Sequence, residues 1–367
     1  DWSSDVCSSD LSALEPFVYR FGTPCVAALV PVASAKTALH ITNIGASLLL
    51  LVLLTLLLRR HVPDTIVPWL IIAFAWHWEA PLRYTWWYPT YVDPLSICAI
   101  TAALLVADRP VLFTLVCAAG VIVRETGLVV PFAYVTGRLL AATDFGRSFD
   151  WRRILNDPTV RRAVIAGLAS LAAFGVTHIA VTPATDYWIA DSAIVWLYSK
   201  PVPVYVLSWF IAFGPMLVLG FVKWPAVRRL FAAYPEFGML LFGITVLALI
   251  GGTDTERFMM WGAPVVLLVV GVAAADIDWS RARGPLGLLV VTHIINGRWF
   301  LTTPIRTVDG PRAWPILTPF HANRLEDLIS ITNDHMASFV GFAEYTLLAL
   351  VLWMWLRRGE GDSAEQA

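Results

Sequence analysis

The chain has 367 residues, of which 58% are hydrophobic and 14% are charged, and its formal net charge is −1. Soluble domains carry about 25% charged residues, so this composition excludes a soluble globular protein and a disordered one. A net charge near zero also argues against a nucleic-acid partner, which would bind a basic surface. The sequence therefore predicts an integral membrane protein.

Residues 1–11 differ from the rest of the chain. They are rich in Ser and Asp and resemble the translation of a sequencing-library adapter, so we exclude them from all site reasoning. We expect the natural protein to extend further upstream of Ser12, where another membrane span is expected. Residues 12–357 are then predicted to be one transmembrane domain that lacks its N-terminal span, and residues 358–367 a disordered cytoplasmic tail.

Apolar segments follow one another along the whole domain. A spanning helix needs about 20 apolar residues, and several of these segments are shorter. The candidates are 41–58, 65–78, 94–107, 110–123, 126–140, 163–182, 203–222, 230–251, 258–276, 285–303 and 338–356. They predict an all-α fold, a polytopic transmembrane helical bundle of about eleven spans. The interruption at Arg124-Glu125-Thr126-Gly127 predicts a broken or re-entrant pair within 110–140.

Basic and aromatic residues divide between alternate loops. Arg and Lys follow the segments that end at 58, 140, 222, 276 and 356, and this side is predicted to be cytoplasmic because positive loops stay inside. The opposite side is rich in Trp and Tyr. These rings predict either an aromatic belt at the headgroup level or stacking surfaces for a sugar or lipid headgroup. The predicted outer segments are 12–40, 79–93, 124–127, 183–202, 252–257 and 304–337.

Charged residues beside the outer ends of apolar segments are the candidate functional residues, because a charge at hydrocarbon depth costs about 3 kcal/mol or more. Arg124 and Glu125 are adjacent, so on a helix they would meet different partners. Arg257 opposes the helix dipole at the start of a segment and needs an anion, either Asp254, Glu125 or a bound phosphate. If one site exists, Asp93, Arg124, Glu125 and Arg257 should approach one another.

Two sequence patterns also have a purely structural interpretation. Asp93-Pro94 has the form of an N-cap followed by Pro at the first helical position. Thr253-x-x-Glu256 has the spacing of a capping box. The three histidines His77, His178 and His293 are isolated in the sequence, which does not indicate a metal site.

Four short motifs, taken in order, resemble those of bacterial polytopic membrane proteins related to the GT-C superfamily of glycosyltransferases. The motifs are Pro16–Arg20, Tyr91-Val92-Asp93-Pro94, Arg124-Glu125 and Asp254-x-x-Arg257 before an apolar segment. The resemblance covers most of residues 12–357. It implies a sugar transferred from a polyprenyl-phosphate-sugar lipid at the outer face of the bacterial inner membrane, with a divalent cation in some members.

The resemblance also assigns roles to residues of this chain. The usual catalytic carboxylate follows the first span, which is expected upstream of Ser12, so this fragment is expected to be inactive. Candidate catalytic residues are Asp93, Glu125 and Asp254, and candidate donor phosphate ligands are Arg257 and Arg124. Candidate substrate-binding residues are Arg20, Glu79, Arg83, Trp86, Trp87 and Tyr91. The alternatives are a transporter or lipid flippase, and a polymerase or ligase of surface polysaccharide.

The predicted orientation is tested by cysteine labelling. We expect 138–162 and 223–229 to be cytoplasmic and 79–93 and 304–337 external, because Arg and Lys favour the cytoplasmic side. Cysteines placed at Ser148 and Ala313 should react differently with an impermeant reagent in intact cells, with Ala313→Cys labelled and Ser148→Cys protected. The opposite pattern of labelling would invert the orientation.

Overall fold

The structure is a computed structural model, and most of its described residues are α-helical. The described residues are 20–77, 92–142, 156–180, 193–195, 197, 202–251, 255–280, 282–296, 343 and 346–356. Within these ranges no β-strand occurs, so the all-α prediction is confirmed for this part of the chain. The adapter-like segment 1–11 and the tail 358–367 lie outside the described residues.

The helices are numbered in chain order. They are α1 Gly22–Ala28, α2 Ala35–Leu58, α3 Val67–Trp76, α4 Asp93–Leu105, α5 Pro110–Val123, α6 Val129–Ala142, α7 Pro158–Ala180, α8 Val202–Phe213, α9 Leu217–Val222, α10 Trp224–Ala233, α11 Pro235–Ile250, α12 Thr255–Met259, α13 Ala263–Ala275, α14 Arg283–Asn296 and α15 Thr346–Leu356. Two 3-10 helices, Glu125–Leu128 and Met260–Gly262, follow α5 and α12.

Three helical stretches among the described residues are long and apolar enough to cross a membrane: Ala35–Leu58, Pro158–Ala180 and Arg257–Ala275. The pair α10 and α11, bent by 107° at its junction, adds a fourth if it counts as one span. The described part of the chain therefore does not reach the predicted eleven spans. Other predicted segments form helices shorter than a bilayer, such as α4 with 13 residues and α5 with 14.

A helix break explains one of these shortened spans. The predicted segment 203–222 is divided at Gly214, whose φ of 70° lies in the left-handed region that favours glycine. Pro215 follows and has no backbone N–H to donate to a continuing helix. Helix α8 therefore ends at Phe213, and α9 begins at Leu217.

Helices α5 and α6 form an antiparallel hairpin around the predicted interruption. A Cβ added at Gly127 would lie 2.7 Å from the backbone of Gly120, so the 3-10 turn folds back directly onto the end of α5. Further from the break, the rings of Phe113 and Tyr134 meet edge to face with centroids 5.2 Å apart. The predicted broken pair is thus two 14-residue helices joined by a 3-10 turn, each about 21 Å long.

Basic side chains join the helix ends opposite this turn. Arg60 Nη1 donates to the carbonyl of Leu105 at 2.7 Å, which connects α2 to the end of α4. Arg162 Nη1 donates to the carbonyl of Ala107 at 3.1 Å, which adds the beginning of α7. Each arginine thereby satisfies a carbonyl at or near the end of a helix.

Ion pairs extend the same end of the bundle to the C-terminal helices. Arg138 of α6 lies 3.2 Å from Glu236 at the beginning of α11. Asp276, directly after α13, lies 3.3 Å from Arg229 and 3.8 Å from Lys223. We call the region defined by Arg60, Arg138, Arg162, Lys223 and Arg229 the basic end. The described contacts bring these five cations to one end of the bundle, and the cytoplasmic assignment of that end stays a prediction.

An aromatic cluster packs the end of α2 against the beginning of α11 at the basic end. The ring of His61 meets Tyr234 and Phe237 edge to face, with centroids 4.8 and 5.5 Å apart. Burial, and after it the neighbouring Arg60, lowers the pKa of His61 below its usual value. A neutral imidazole at neutral pH is compatible with this apolar packing.

The described surface is unusually apolar, and several polar side chains are buried in an otherwise apolar core. Polar side chains such as Asn43, Thr101, Ser170 and Ser208 are buried between helices. Large apolar side chains face outward over several helices, a surface that fits lipid better than water. Among them are Leu48, Val52, Trp69, Ile72, Val111, Leu115, Phe132, Ile165, Leu168, Leu171, Val176 and Phe242.

The close contact of α6 with α11 gives a stability prediction. A Cβ added at Gly137 would lie 2.6 Å from the backbone nitrogen of Glu236, where neither backbone can yield cheaply. We expect Gly137→Ala to lower the free energy of unfolding in detergent by about 1–3 kcal/mol, the usual cost of overpacking.

The control for this prediction is Gly175→Ala in α7, where an added Cβ meets nothing within 4 Å. Because alanine favours a helix over glycine, this control should be neutral or stabilising by about 1 kcal/mol. Thermal unfolding of both variants, followed by circular dichroism, measures the difference. Equal melting temperatures would contradict the close packing of α6 on α11.

Candidate functional site

The carboxylate of Asp93 is the centre of a buried charged cluster at the end of the bundle opposite the basic end. Asp93 is the first residue of α4 and is fully buried. Arg124 Nη1 donates to its Oδ1 at 2.5 Å, and Trp261 Nε1 donates to the same oxygen at 2.8 Å. The Nε of Arg257 lies 3.3 Å from Oδ2. One carboxylate therefore joins α4, the α5–α6 turn and the α12–α13 junction.

Aromatic rings hold the two arginines of the cluster in place. The guanidinium of Arg124 lies over the ring of Trp261, 4.3 Å from its centroid. The ring of Phe258 meets Trp261 edge to face at 4.7 Å and lies 5.6 Å from the Arg124 guanidinium and 5.7 Å from that of Arg257. A cation over an aromatic face gains about 2 kcal/mol when both are desolvated. The contacts with these rings thus offset part of the free-energy cost of burying two positive charges.

Helix ends give the cluster its electrostatic environment. The carboxylate of Asp93 lies at the N-terminus of α4, where the helix dipole favours a negative charge. Arg124 follows the last residue of α5 in an extended conformation, at a helix C-terminus that favours a positive charge. Asp93 and Arg124 are therefore each stabilised by the dipole of their own helix, in addition to their contact with each other.

Helix length places the cluster at a depth inside the bundle. Helix α4 has 13 residues and α5 has 14, and both have their far ends at or next to the basic end. At about 1.5 Å per residue, Asp93 and Arg124 lie about 20 Å from that end. This distance is less than the hydrocarbon thickness of about 30 Å.

A second ion pair flanks the cluster. Both oxygens of Glu125 are engaged by Arg20, whose Nη2 meets Oε1 and whose Nε donates to Oε2 at 3.0 Å. Helix α1 brings Arg20 here, because a Cβ added at Gly22 would lie 2.8 Å from Cα of Val123 at the end of α5. The Glu125 side chain is 35% exposed, against 1% for Asp93. The pair therefore forms the more accessible border of the cluster.

The structure brings together most of the charged residues that the sequence selected within the described ranges. Asp93, Arg124 and Arg257 meet directly, and Arg20 and Glu125 adjoin them. Arg124 and Glu125 do serve different partners, as their adjacency predicted. The remaining candidates lie outside the described residues: Glu79, Arg83, Trp86, Trp87, Tyr91 and Asp254.

Of the two capping patterns that the sequence offered, the one at Asp93 is wrong and the one at Thr253 stays a prediction. Asp93 is not an N-cap: Val92 precedes the helix without a side-chain cap, and the Asp93 carboxylate instead meets two arginines and an indole. The carboxylate found beside Arg257 is Asp93, which was among the four residues expected to converge but was not among the anions named for Arg257. The capping box cannot be compared, because Thr253 and the side chain of Glu256 lie outside the described set.

Sequence reasoning missed the aromatic partners. Trp261 follows Arg257 by four residues, a spacing that places both on one helical face, and this was the available signal. The histidines were predicted to be isolated, but His77 and His293 lie together with ring centroids 5.7 Å apart. His293 Nε2 also lies 2.8 Å from the carbonyl of Ala73.

The cluster does not resemble a metal centre. Both oxygens of Asp93 face cations or an N–H donor, so they are poor ligands for a further positive ion. Among the described residues, no group of three or more His, Cys, Asp or Glu side chains could hold a metal. What the arrangement does supply is positive charge held in an apolar environment, which favours a phosphate or another anion.

Comparison with protein families, curated proteins and solved structures found no match for this chain.

The buried charges give a stability prediction. Asp93→Asn should lower the free energy of unfolding by about 3–5 kcal/mol, because it leaves two arginines facing a neutral amide inside the protein. The double variant Asp93→Asn with Arg124→Met should regain part of this loss, since it removes one of the uncompensated charges. Unfolding in detergent, monitored by circular dichroism, measures both.

The control for this prediction is an exposed ion pair. Arg59 and Asp64 lie 3.2 Å apart with side chains 61% and 76% exposed. Asp64→Asn should change the free energy of unfolding by less than about 1 kcal/mol. A loss for Asp93→Asn as small as that of the control would mean that Asp93 is not the electrostatic centre of the cluster.

Proposed function

We propose that this chain belongs to a membrane glycosyltransferase of the GT-C type, a bundle of about eleven spans in the bacterial inner membrane. It would transfer a sugar from a polyprenyl-phosphate donor to an acceptor at the outer face. The observation that supports this proposal is the meeting of Arg124 and Arg257 on the buried carboxylate of Asp93. Fixed positive charge about 20 Å from the basic end suits the phosphate of a lipid better than that of a water-soluble nucleotide sugar.

Arg257 is the proposed ligand of the donor phosphate. Its side chain is 11% exposed, whereas that of Arg124 is 1% exposed and covered by Trp261. Arg257 meets Asp93 through Nε, and its guanidinium is the more accessible of the two. Arg124 then acts as a positioning residue, adding positive potential and fixing Asp93.

The chemistry is a displacement at the anomeric carbon. The acceptor hydroxyl loses its proton to a general base as its oxygen attacks, and the bond from the anomeric carbon to the phosphate oxygen breaks. Polyprenyl phosphate leaves with an added negative charge, which Arg257 stabilises. Attack from the opposite side of the ring gives inversion.

The carboxylates of the described site are suited to positioning rather than to proton transfer. Asp93 is buried and faces two guanidinium groups and an indole N–H. Glu125 is bound by Arg20 through both oxygens. We therefore propose that the general base is another carboxylate, for which Asp254 is the candidate in this chain. Glu79, Arg83, Trp86, Trp87 and Tyr91 stay proposed contacts for sugar or acceptor, and a divalent cation stays a proposed cofactor.

A second candidate function is movement of a lipid or solute across the membrane. Two breaks favour it: the hairpin turn at Arg124 and the left-handed Gly214 between α8 and α9. Broken helices with charges near their ends are typical of transporters. Such a protein would use the same arginines to bind an anion, but no glycosidic bond would form.

Arg257 gives the test of the proposed function. In the natural protein, Arg257→Ala should abolish transfer from a polyprenyl-phosphate sugar. Arg257→Lys should leave partial activity, because lysine keeps the charge but loses the planar fork that holds two phosphate oxygens. Binding of a short-chain polyprenyl phosphate should weaken by about 10-fold to 100-fold in Arg257→Ala, the range for a lost charge-assisted hydrogen bond.

Two further results distinguish the alternatives. A merely structural Arg257 predicts that Arg257→Ala lowers the melting temperature and leaves the activity of the folded fraction unchanged, which would rule out the phosphate role. Liposomes that contain the unaltered protein distinguish the second candidate. Translocation of a labelled lipid without any sugar transfer would favour a flippase over a transferase.

A further inference from the structure

Helix α10 differs from the apolar helices around it. It is bent by 107° against α11, so it runs at close to a right angle to a helix of the bundle. One face, Ala226, Val227 and Leu230, is buried. The opposite face is exposed and carries Arg228 and Arg229 beside Trp224. The helix is therefore amphipathic, with its small apolar side turned to the protein and a basic, aromatic side turned away.

Ion pairs fix the orientation of α10 at the basic end. Asp276, after the last residue of α13, lies 3.3 Å from Arg229 and 3.8 Å from Lys223. Lys223 directly precedes α10, so contacts on both sides of Trp224 hold the helix against the end of α13. These contacts fix the direction in which the outward face of α10 points.

The outward face has the chemistry of a membrane interface. Trp224 is 54% exposed and precedes Arg228 by four residues, so the two share a stripe of the helix. Exposed Phe221 and Tyr234 flank the helix. Tryptophan and tyrosine favour the headgroup level of a bilayer, and arginine near that level attracts anionic lipids. The ten residues of α10 contain two arginines and no acidic residue.

We propose that α10 is an in-plane interfacial helix that binds the headgroups of anionic phospholipids of the surrounding bilayer. Arg228 contacts the lipid phosphate, Trp224 lies at the level of the ester groups, and Arg229 is held by Asp276 as an anchor. The charge complementarity of the basic face with an anionic leaflet selects this occupant. The binding is independent of the Asp93 cluster, which lies about 20 Å from the basic end, and of any transferase activity.

Lipid binding to the full chain tests the proposal. Native mass spectrometry of the detergent-solubilised protein measures the binding of phosphatidylglycerol and phosphatidylcholine separately. Arg228→Gln should weaken phosphatidylglycerol binding about fivefold, the factor expected for one arginine near an anionic surface. It should weaken phosphatidylcholine binding less, because that headgroup has a phosphate but no net charge, whereas Trp224→Ala should weaken binding of both lipids.

The matched control is Arg59→Gln, which removes an exposed charge next to Arg60 of the same basic end without touching α10. Its effect on phosphatidylglycerol should be less than twofold. Equal losses for Arg59→Gln and Arg228→Gln would overturn the proposal in favour of a diffuse electrostatic attraction. Displacement of phosphatidylglycerol by millimolar inorganic phosphate would also overturn it, since the site would then bind a free anion. Unchanged melting temperatures of the variants without lipid establish that α10 remains folded.

Discussion

A single buried carboxylate determines how one end of this protein is built. Asp93 has no exposure to solvent, and a charge in that position is tolerated only with partners of opposite sign or with hydrogen-bond donors. Its partners come from widely separated parts of the chain, Arg124 between α5 and α6 and Arg257 with Trp261 around the α12–α13 junction. Three pieces of backbone must therefore end at the same point, and the short helices follow from that requirement.

Arginines form two separate groups at opposite ends of the bundle. Those of the basic end cover helix ends and pair with acids at or near the surface, as Arg229 does with Asp276. Those of the Asp93 cluster lie among aromatic rings in the apolar interior. Arg229 is 68% exposed, so water and salt screen its charge, whereas Arg124 is 1% exposed and acts in a low dielectric where its field is strong. The proposed phosphate site depends on the second kind.

Local features of the fold could be predicted from the sequence, whereas contacts between distant residues could be predicted only in part. Apolar composition was enough to predict helices, and the Arg124-Glu125 interruption predicted the hairpin, because breaks in hydrophobic runs are local signals. The approach of Asp93 to Arg124 followed from the cost of an unpaired charge. The contribution of Trp261 could not be predicted, since a tryptophan at the end of a membrane span is equally expected in the aromatic belt at the headgroup level. The segment predicted at 203–222 was overestimated in length, because Gly214 and Pro215 end α8 at a point that hydropathy alone does not mark.

The hairpin of α5 and α6 has a consequence for how the protein enters the membrane during synthesis. Each arm has 14 residues, and the turn between them carries Arg124 and Glu125. A helix of that length with a charged tip partitions poorly from the translocon into lipid. Helix α4, with Asp93, is synthesised before the hairpin, but Trp261 and Arg257 are synthesised more than a hundred residues later. Arg124 of the hairpin can therefore pair with Asp93 of α4 early in synthesis, whereas Asp93 gains its contacts with Arg257 and Trp261 only when the C-terminal helices have been made.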